Sequence, residues 1–120
     1  MTNERREGGL LAWQFAHYAE NHSLRRNLLV HLATVPLFWA GTLALPAALF
    51  VGTWLLPAGL VAMIAAVALQ GRGHAMEPVA PLAFQGPLDV MARICVEQWV
   101  TFPRFVLSGG LGRALSRPGC

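Results

Sequence analysis

The chain has 120 residues, 55% of them hydrophobic and 12% charged, with nine Arg, no Lys and a net charge of +3. One domain exhausts this length, and a charged fraction about half the soluble norm of roughly 25% points away from a soluble globule and toward the membrane class. The Arg residues flank apolar segments rather than forming a basic stripe, so the expected partner is membrane lipid and no nucleic acid.

Met1 to Gly9 is polar, with both signs of charge and no apolar h-region, and is expected to be a flexible terminus without a secretory signal. From Leu10 to Asn21 apolar residues alternate with Gln14, His17 and Glu20, which predicts a short amphipathic helix at the membrane interface. Trp13 and Tyr18 suit the headgroup level. Ser23 is a candidate N-cap for the helix that follows.

From Asn27 to Gly71 there is no Asp, Glu, Lys or Arg, although Arg25 and Arg26 stand just before this stretch and Arg72 just after it. It reads as two apolar spans, 28–45 and 47–69, joined near Leu45-Pro46. A helix crosses a hydrocarbon core with about 20 apolar residues, so the stretch holds enough for two crossings. Neither span shows the polar face that a soluble core helix carries. Pro36 and Pro57 predict kinks within the spans. With positive charge on both outer ends, the positive-inside rule places both ends of the hairpin at the cytoplasm. The membrane would be a bacterial inner membrane, or an ER membrane in a eukaryote.

The Gly/Pro-rich run from Gly71 to Asp89 is expected to be largely irregular. Leu88 to Leu107 is apolar but interrupted by Arg93, Glu97 and Arg104. A charge at mid-bilayer costs on the order of 2.5–3.5 kcal/mol on insertion scales, so the segment is expected to be an interfacial or packed helix ending before Pro103, with a third crossing inside a helix bundle as the alternative. Residues 111–120 read as a flexible tail, leaving 10–110 as one membrane domain. Cys95 and Cys120 are too few for a disulfide framework, and Cys95 reads as a packed free thiol. The fold class is therefore all-α: a membrane hairpin with amphipathic or packed helices on either side, and a homo-oligomer is plausible because two spans bury little.

His22 and His31 stand on the approach to the first span and His74 just past the second, so a hairpin brings all three to one face. On one straight helix His22 and His31 would be about 900° apart, on opposite sides, and they face one centre only if the chain bends near Ser23. Imidazole binds iron, zinc, copper and nickel, and an ionisable group in an apolar span such as His31 is by default a functional candidate. The alternative is a set of separate histidines hydrogen-bonded to backbone, the reading that suits His17.

The run Tyr18-x3-His22-x4-Asn27-x3-His31 followed by Pro36, together with Gly73-His74-x2-Glu77-x3-Pro81-Leu82, resembles the two motif blocks of the metal-dependent 2-hydroxy fatty acid dioxygenase family of fatty acid α-oxidation. With Gln70 and the run EQWVTFPRFVLSGG, the resemblance extends from about Phe15 to Gly110. It implies Fe(II) held by His22, His31 and His74, with Glu77 as a fourth ligand or as an orienting carboxylate. Asn27 would be a supporting or substrate contact, and Arg25, Arg26 or Arg72 would hold the substrate carboxylate. The implied substrates are a long-chain 2-hydroxy fatty acid and dioxygen, the product is the acid one carbon shorter, and Phe38, Trp39 and Trp54 would border the acyl chain. Three other functions remain open on the residues alone: a zinc-dependent lipid hydrolase, a haem protein, and a non-enzymatic membrane scaffold with structural histidines.

Overall fold

A long run of apolar sequence must satisfy its backbone N–H and C=O groups internally, and this chain does so with helices. The computed structural model describes residues 8–117 and is all-helical, with no strand among the described residues. The N-terminal stretch 1–7 and the end of the expected tail, with Cys120, lie outside the described residues. In chain order the helices are α1 (Gly9–Asn21), α2 (Arg25–Ala47), α3 (Leu55–Ala75), α4 (Pro87–Val96), α5 (Phe102–Leu107) and α6 (Gly110–Ser116). A five-residue π-turn, Glu97–Thr101, joins α4 to α5.

The antiparallel pair α2 and α3 is the frame. Both are long and apolar enough to cross a membrane, with 23 and 21 residues. Each therefore measures roughly 31–34 Å at 1.5 Å per residue. They close on each other through two glycines. A Cβ on Gly41 would lie 2.7 Å from the Gly59 carbonyl oxygen, and one on Gly59 the same 2.7 Å from that of Gly41. Such mutual backbone approach is what small residues allow where two apolar helices cross. The turn spans 48–54 rather than Leu45-Pro46, because Pro46 falls in the last turn of α2, where its fixed φ suits a helix. Pro57 lies in the first turn of α3, where a missing N–H breaks no helical bond; Pro36 and Pro46 lie within α2.

The packed core sits at the open end of the hairpin, where Tyr18, Leu28, Val35, Phe102, Phe105, Leu111 and Ala114 join α1, α2, α5 and α6. The turn end is bare, with Leu49 83% and Phe50 88% exposed. Several expectations are corrected here. Trp13 and Tyr18 are buried rather than placed at a headgroup surface. The α3 helix runs through His74 to Ala75, so the irregular segment is only 76–86. Residues 110–116 form α6 rather than a flexible tail, because Leu111 and Ala114 join the core. Cys95 is exposed, not packed.

The helix also continues past Pro103. In the π-turn the N–H of Phe102 bonds the carbonyl five residues back, that of Glu97. In the same register, Pro103 is the residue that cannot serve the carbonyl of Gln98. The Trp39 indole N–H donates to that carbonyl instead, at 2.6 Å. An inter-helix hydrogen bond thus replaces the one proline removes, and it docks the second half of the chain on α2.

Gly59→Ala should force α2 and α3 apart and lower stability by about 1–3 kcal/mol. Gly71→Ala, whose Cβ meets nothing within 4 Å, should raise it by up to about 1 kcal/mol by removing unfolded-chain freedom. Thermal unfolding of the two variants in detergent measures both.

Candidate metal centre

The end of α1 and the start of α2 determine where His22 and His31 point. Residues 22–24 are non-helical, with Leu24 extended (φ −84°, ψ 136°) as the N-cap of α2. No side chain of the local sequence caps that helix; Ser23 does not act as its cap. The capping group is Glu77, from just beyond α3. Its Oε1 accepts from the Ser23 backbone N–H at 2.9 Å and from the Ser23 hydroxyl at 2.9 Å. Its Oε2 accepts from the Leu24 N–H at 3.1 Å and from Asn27 Nδ2 at 2.8 Å. An anionic carboxylate on the unpaired N–H groups at a helix start is favourable both as hydrogen bonding and against the helix dipole.

With the chain so bent, three imidazoles meet. The ring centroids of His22 and His31 are 4.6 Å apart, those of His22 and His74 4.6 Å, and those of His31 and His74 5.1 Å. The carboxylate beside them is Glu97, the first residue of the π-turn. Its Oε2 lies 3.2 Å from the Nε2 of both His22 and His31. One ligand atom from each of His22, His31, His74 and Glu97 can be chosen so that all lie within 4.8 Å of one another, and the group could hold a metal ion. Donor-to-metal distances of about 2.0–2.2 Å fit that spacing.

The tautomers follow from the partners. The Nδ1 of His22 sits 2.8 Å from the Tyr18 carbonyl and that of His31 3.0 Å from the Asn27 carbonyl. A carbonyl only accepts, so both Nδ1 atoms carry the proton, and in the neutral ring each Nε2 is a lone pair. Those Nε2 atoms, and the Nδ1 of His74, are buried with no hydrogen-bond partner. Lone pairs turned toward a carboxylate oxygen in a dry site repel, and an orphaned buried acceptor costs about 1–3 kcal/mol. One cation at the centre would remove the repulsion and give the His22 and His31 nitrogens a common partner. Backbone-anchored Nδ1–H groups are also the usual way metal-binding imidazoles are oriented.

Tyr18 completes the surroundings. Its ring stacks on His22, with centroids 3.7 Å apart, and its hydroxyl donates to Glu97 Oε2 at 2.8 Å. Burial, and next the Glu97 charge, push the Tyr18 phenol well above its usual range, so it stays a donor. Burial alone would raise the Glu97 carboxyl, but hydrogen bonds and positive charge from His22 and His31, in their protonated form, outweigh it and hold the group well below the usual carboxylate range; a cation held between the neutral rings would act in the same direction. Glu97 is therefore ionised, as a ligand must be. Toward the interior of the hairpin a second polar layer backs the site. Gln70 and Gln98 bond each other reciprocally at 2.7 and 3.0 Å, and Gln70 donates to Thr34 at 2.9 Å.

A cleft of about 330 Å³ opens beside the group. His22, His74 and Glu97 contribute to its lining, with Trp13, Phe84 and Arg93. Of the residues singled out in the sequence, His22, His31 and His74 come together. Glu77 is the correction: it lies past the end of α3, its oxygens are taken by the start of α2, and the fourth donor is Glu97. Asn27 supports His31 through its carbonyl, its Nδ2 meets Glu77, and its Oδ1 is pressed against Gly73, where a Cβ would collide with it. Arg25, Arg26 and Arg72 do not line the cleft. Arg25 donates to the Leu115 carbonyl at 2.6 Å, whereas Arg26 and Arg72 are exposed. Phe38, Trp39 and Trp54 do not line it either. Along the chain Glu97 is an obstacle to spanning, yet an ionisable residue in an apolar segment is itself a signal of function.

Searches against protein-family models, curated proteins and solved structures find no match to this chain.

Glu97→Gln and His31→Gln should each weaken binding of a divalent metal at least about tenfold, and Tyr18→Phe about 10–100-fold. Glu77→Gln, which keeps one acceptor oxygen for the start of α2, should weaken metal binding less than Glu97→Gln does while lowering stability by about 1–3 kcal/mol. Elemental analysis of each purified variant, beside its melting curve, separates the two carboxylates. Metal loss on Glu77→Gln with retention on Glu97→Gln would reverse the assignment.

Proposed function

We propose that the chain is a membrane-embedded, iron-dependent dioxygenase that shortens long-chain 2-hydroxy fatty acids by one carbon. One observation carries the reading: three buried imidazole nitrogens without partners converge on an ionised carboxylate at the wall of a cleft. The resemblance of the two histidine blocks to the 2-hydroxy fatty acid dioxygenases supplies the reaction class. Three imidazoles and one carboxylate suit Fe(II) among other divalent metals.

The reaction closes without an external reductant. A 2-hydroxy acid and one dioxygen give the acid one carbon shorter, carbon dioxide and water. The C1–C2 bond breaks, and the four electrons lost by the substrate are those dioxygen takes up. A bound redox-active metal supplies the electron exchange with dioxygen that no side chain can. The chain's own residues do the remaining work. His22 and His31 are held in one tautomer by the Tyr18 and Asn27 carbonyls. Tyr18 fixes the Glu97 oxygen that faces them. The cleft offers the substrate head a place beside the group, and its apolar lining keeps bulk water away.

The hairpin gives such an enzyme its location. Its apolar helices are mostly unburied within the chain, with Val61 65% and Ile64 67% exposed, as lipid-facing helices would be. Arg25, Arg26 and Arg72 cluster at the end that carries the histidines, which by the positive-inside rule faces the cytoplasm.

Protein loaded with Fe(II) and given 2-hydroxyhexadecanoic acid under oxygen should yield pentadecanoic acid by mass spectrometry. Zinc-loaded protein should yield none, and Glu97→Gln should lose activity together with its iron. No product from protein with iron demonstrably bound would overturn the reading.

A further inference from the structure

We infer that the outer face of the helix running through 87–107 lies against lipid acyl chains, which seats the metal centre beside the hydrocarbon of the bilayer and not in the water above it. The inference shares its membrane with the oxygenase reading and none of its chemistry.

From Pro87 the chain stays helical through α4, the π-turn and α5 to Leu107. The polarity of this helix is the reverse of a soluble one, which keeps charge outside and apolar side chains within. Arg93, Gln98 and Thr101 are at most 6% exposed, and Glu97 turns to the histidines. These groups are answered inside the fold: Arg93 by Asp89 and the Ala83 carbonyl, Gln98 by Gln70, and Thr101 by Gln14. The outward side carries Leu88 at 83% exposure and Leu107 at 87%, with Met91, Cys95, Trp99 and Val100 exposed between them. Ionisable groups turned inward and paired, with apolar side chains turned out, is the arrangement that a helix in lipid requires. Arg104 is the one charge among the exposed residues of 87–107. It stands near the end of the stripe, its guanidinium carbon 3.9 Å from the centre of the Phe15 ring.

A bare apolar stripe of this length marks a contact surface. Lipid is the occupant that matches its extent, because the exposure is not confined to one helix. Leu29, Leu32 and Leu43 continue it on α2, and Leu60, Val61 and Ile64 on α3. A protein partner covers one patch of about 800 Å², whereas a bilayer covers the apolar surface of three helices together. The inner side of the same helix supplies Val90 and Ile94 to the wall of the cleft. Acyl chains and cleft are thus separated by a single helix, about 10 Å thick.

The test uses the full chain in phosphatidylcholine vesicles, with a nitroxide on one cysteine at a time. Cys95 carries it in the Cys120→Ser protein; Met91→Cys and Val100→Cys carry it in a background with Cys95 and Cys120 replaced by Ser. All three positions are exposed, so the label displaces nothing packed. Power saturation in electron paramagnetic resonance compares collisions with oxygen, which concentrates in hydrocarbon, and with a water-soluble nickel chelate. Each of the three labels should meet oxygen several-fold more often than the chelate, as a label at Val61→Cys on α3 should, and a label at Glu20→Cys should show the reverse. Chelate dominance at any of the three stripe positions overturns the inference, and with Val61→Cys still oxygen-dominated the hairpin stands without it. Protection from both reagents, the mark of a second copy over the stripe, overturns it as well. No substrate, metal or turnover enters the measurement, so the inference and the oxygenase reading fail separately.

Discussion

The carboxylate of Glu77 is the constraint on which the geometry of the centre depends. It stands past the end of one long helix and takes four donors from the start of the other: two backbone N–H groups, the Ser23 hydroxyl and the Asn27 amide. Two consequences follow from one group. The open ends of α2 and α3 are locked together, which brings His74 over His22 and His31. The chain is also held extended at Ser23 and Leu24, so that α1 leaves at an angle and His22 turns back toward His31. A side chain capping α2 locally would have provided only the second.

The centre is built from the two halves of the chain by different devices. His22 and His31 are oriented by carbonyls four residues earlier in their own segment, an arrangement local to the last turn of α1 and the first turns of α2. Glu97 arrives from the C-terminal half and depends on the π-turn. That turn places Glu97 toward the histidines and Gln98 toward Gln70, with both side chains buried or half-buried on the inward side. The irregularity would be unfavourable alone, since it sits beside a proline that cannot donate. Trp39 removes that difficulty by donating to the Gln98 carbonyl, and π-turns at such positions often accompany functional sites.

Most of the architecture was legible because it follows from charge and periodicity. An uncharged stretch bounded by Arg25, Arg26 and Arg72 reads as an apolar hairpin, and a hairpin brings His31 and His74 to one end, where the bend at Ser23 adds His22. The identity of the carboxylate was not legible. Glu77 is close to His74 in sequence and Glu97 is not, but α3 ends at Ala75, so sequence proximity ceases to be spatial proximity at that point. Read along the chain, Arg93 and Glu97 are charges that spoil a span; read in space, they are the polar side of a helix that closes the cleft. The helix through Pro103 was missed because its rescue by Trp39 is a contact across 59 residues, which no local rule can see.

The four-residue group is difficult to explain as structure alone. A helical core of this size has simpler ways to fill the space, since replacing a buried ion cluster by apolar side chains is often neutral or stabilising. Here the site instead carries an ionised carboxylate and three nitrogens, buried and without hydrogen-bond partners. A protonated pair of imidazoles would neutralise Glu97 but would set two positive rings edge to face, with centroids 4.6 Å apart. Neutral rings would leave lone pairs facing a negative oxygen. A divalent cation resolves both arrangements, because it is attracted to every donor while the Nδ1 protons remain where the Tyr18 and Asn27 carbonyls hold them. The donor set is therefore complementary to a species other than the protein itself, and the cleft beside it gives a second molecule access to that species.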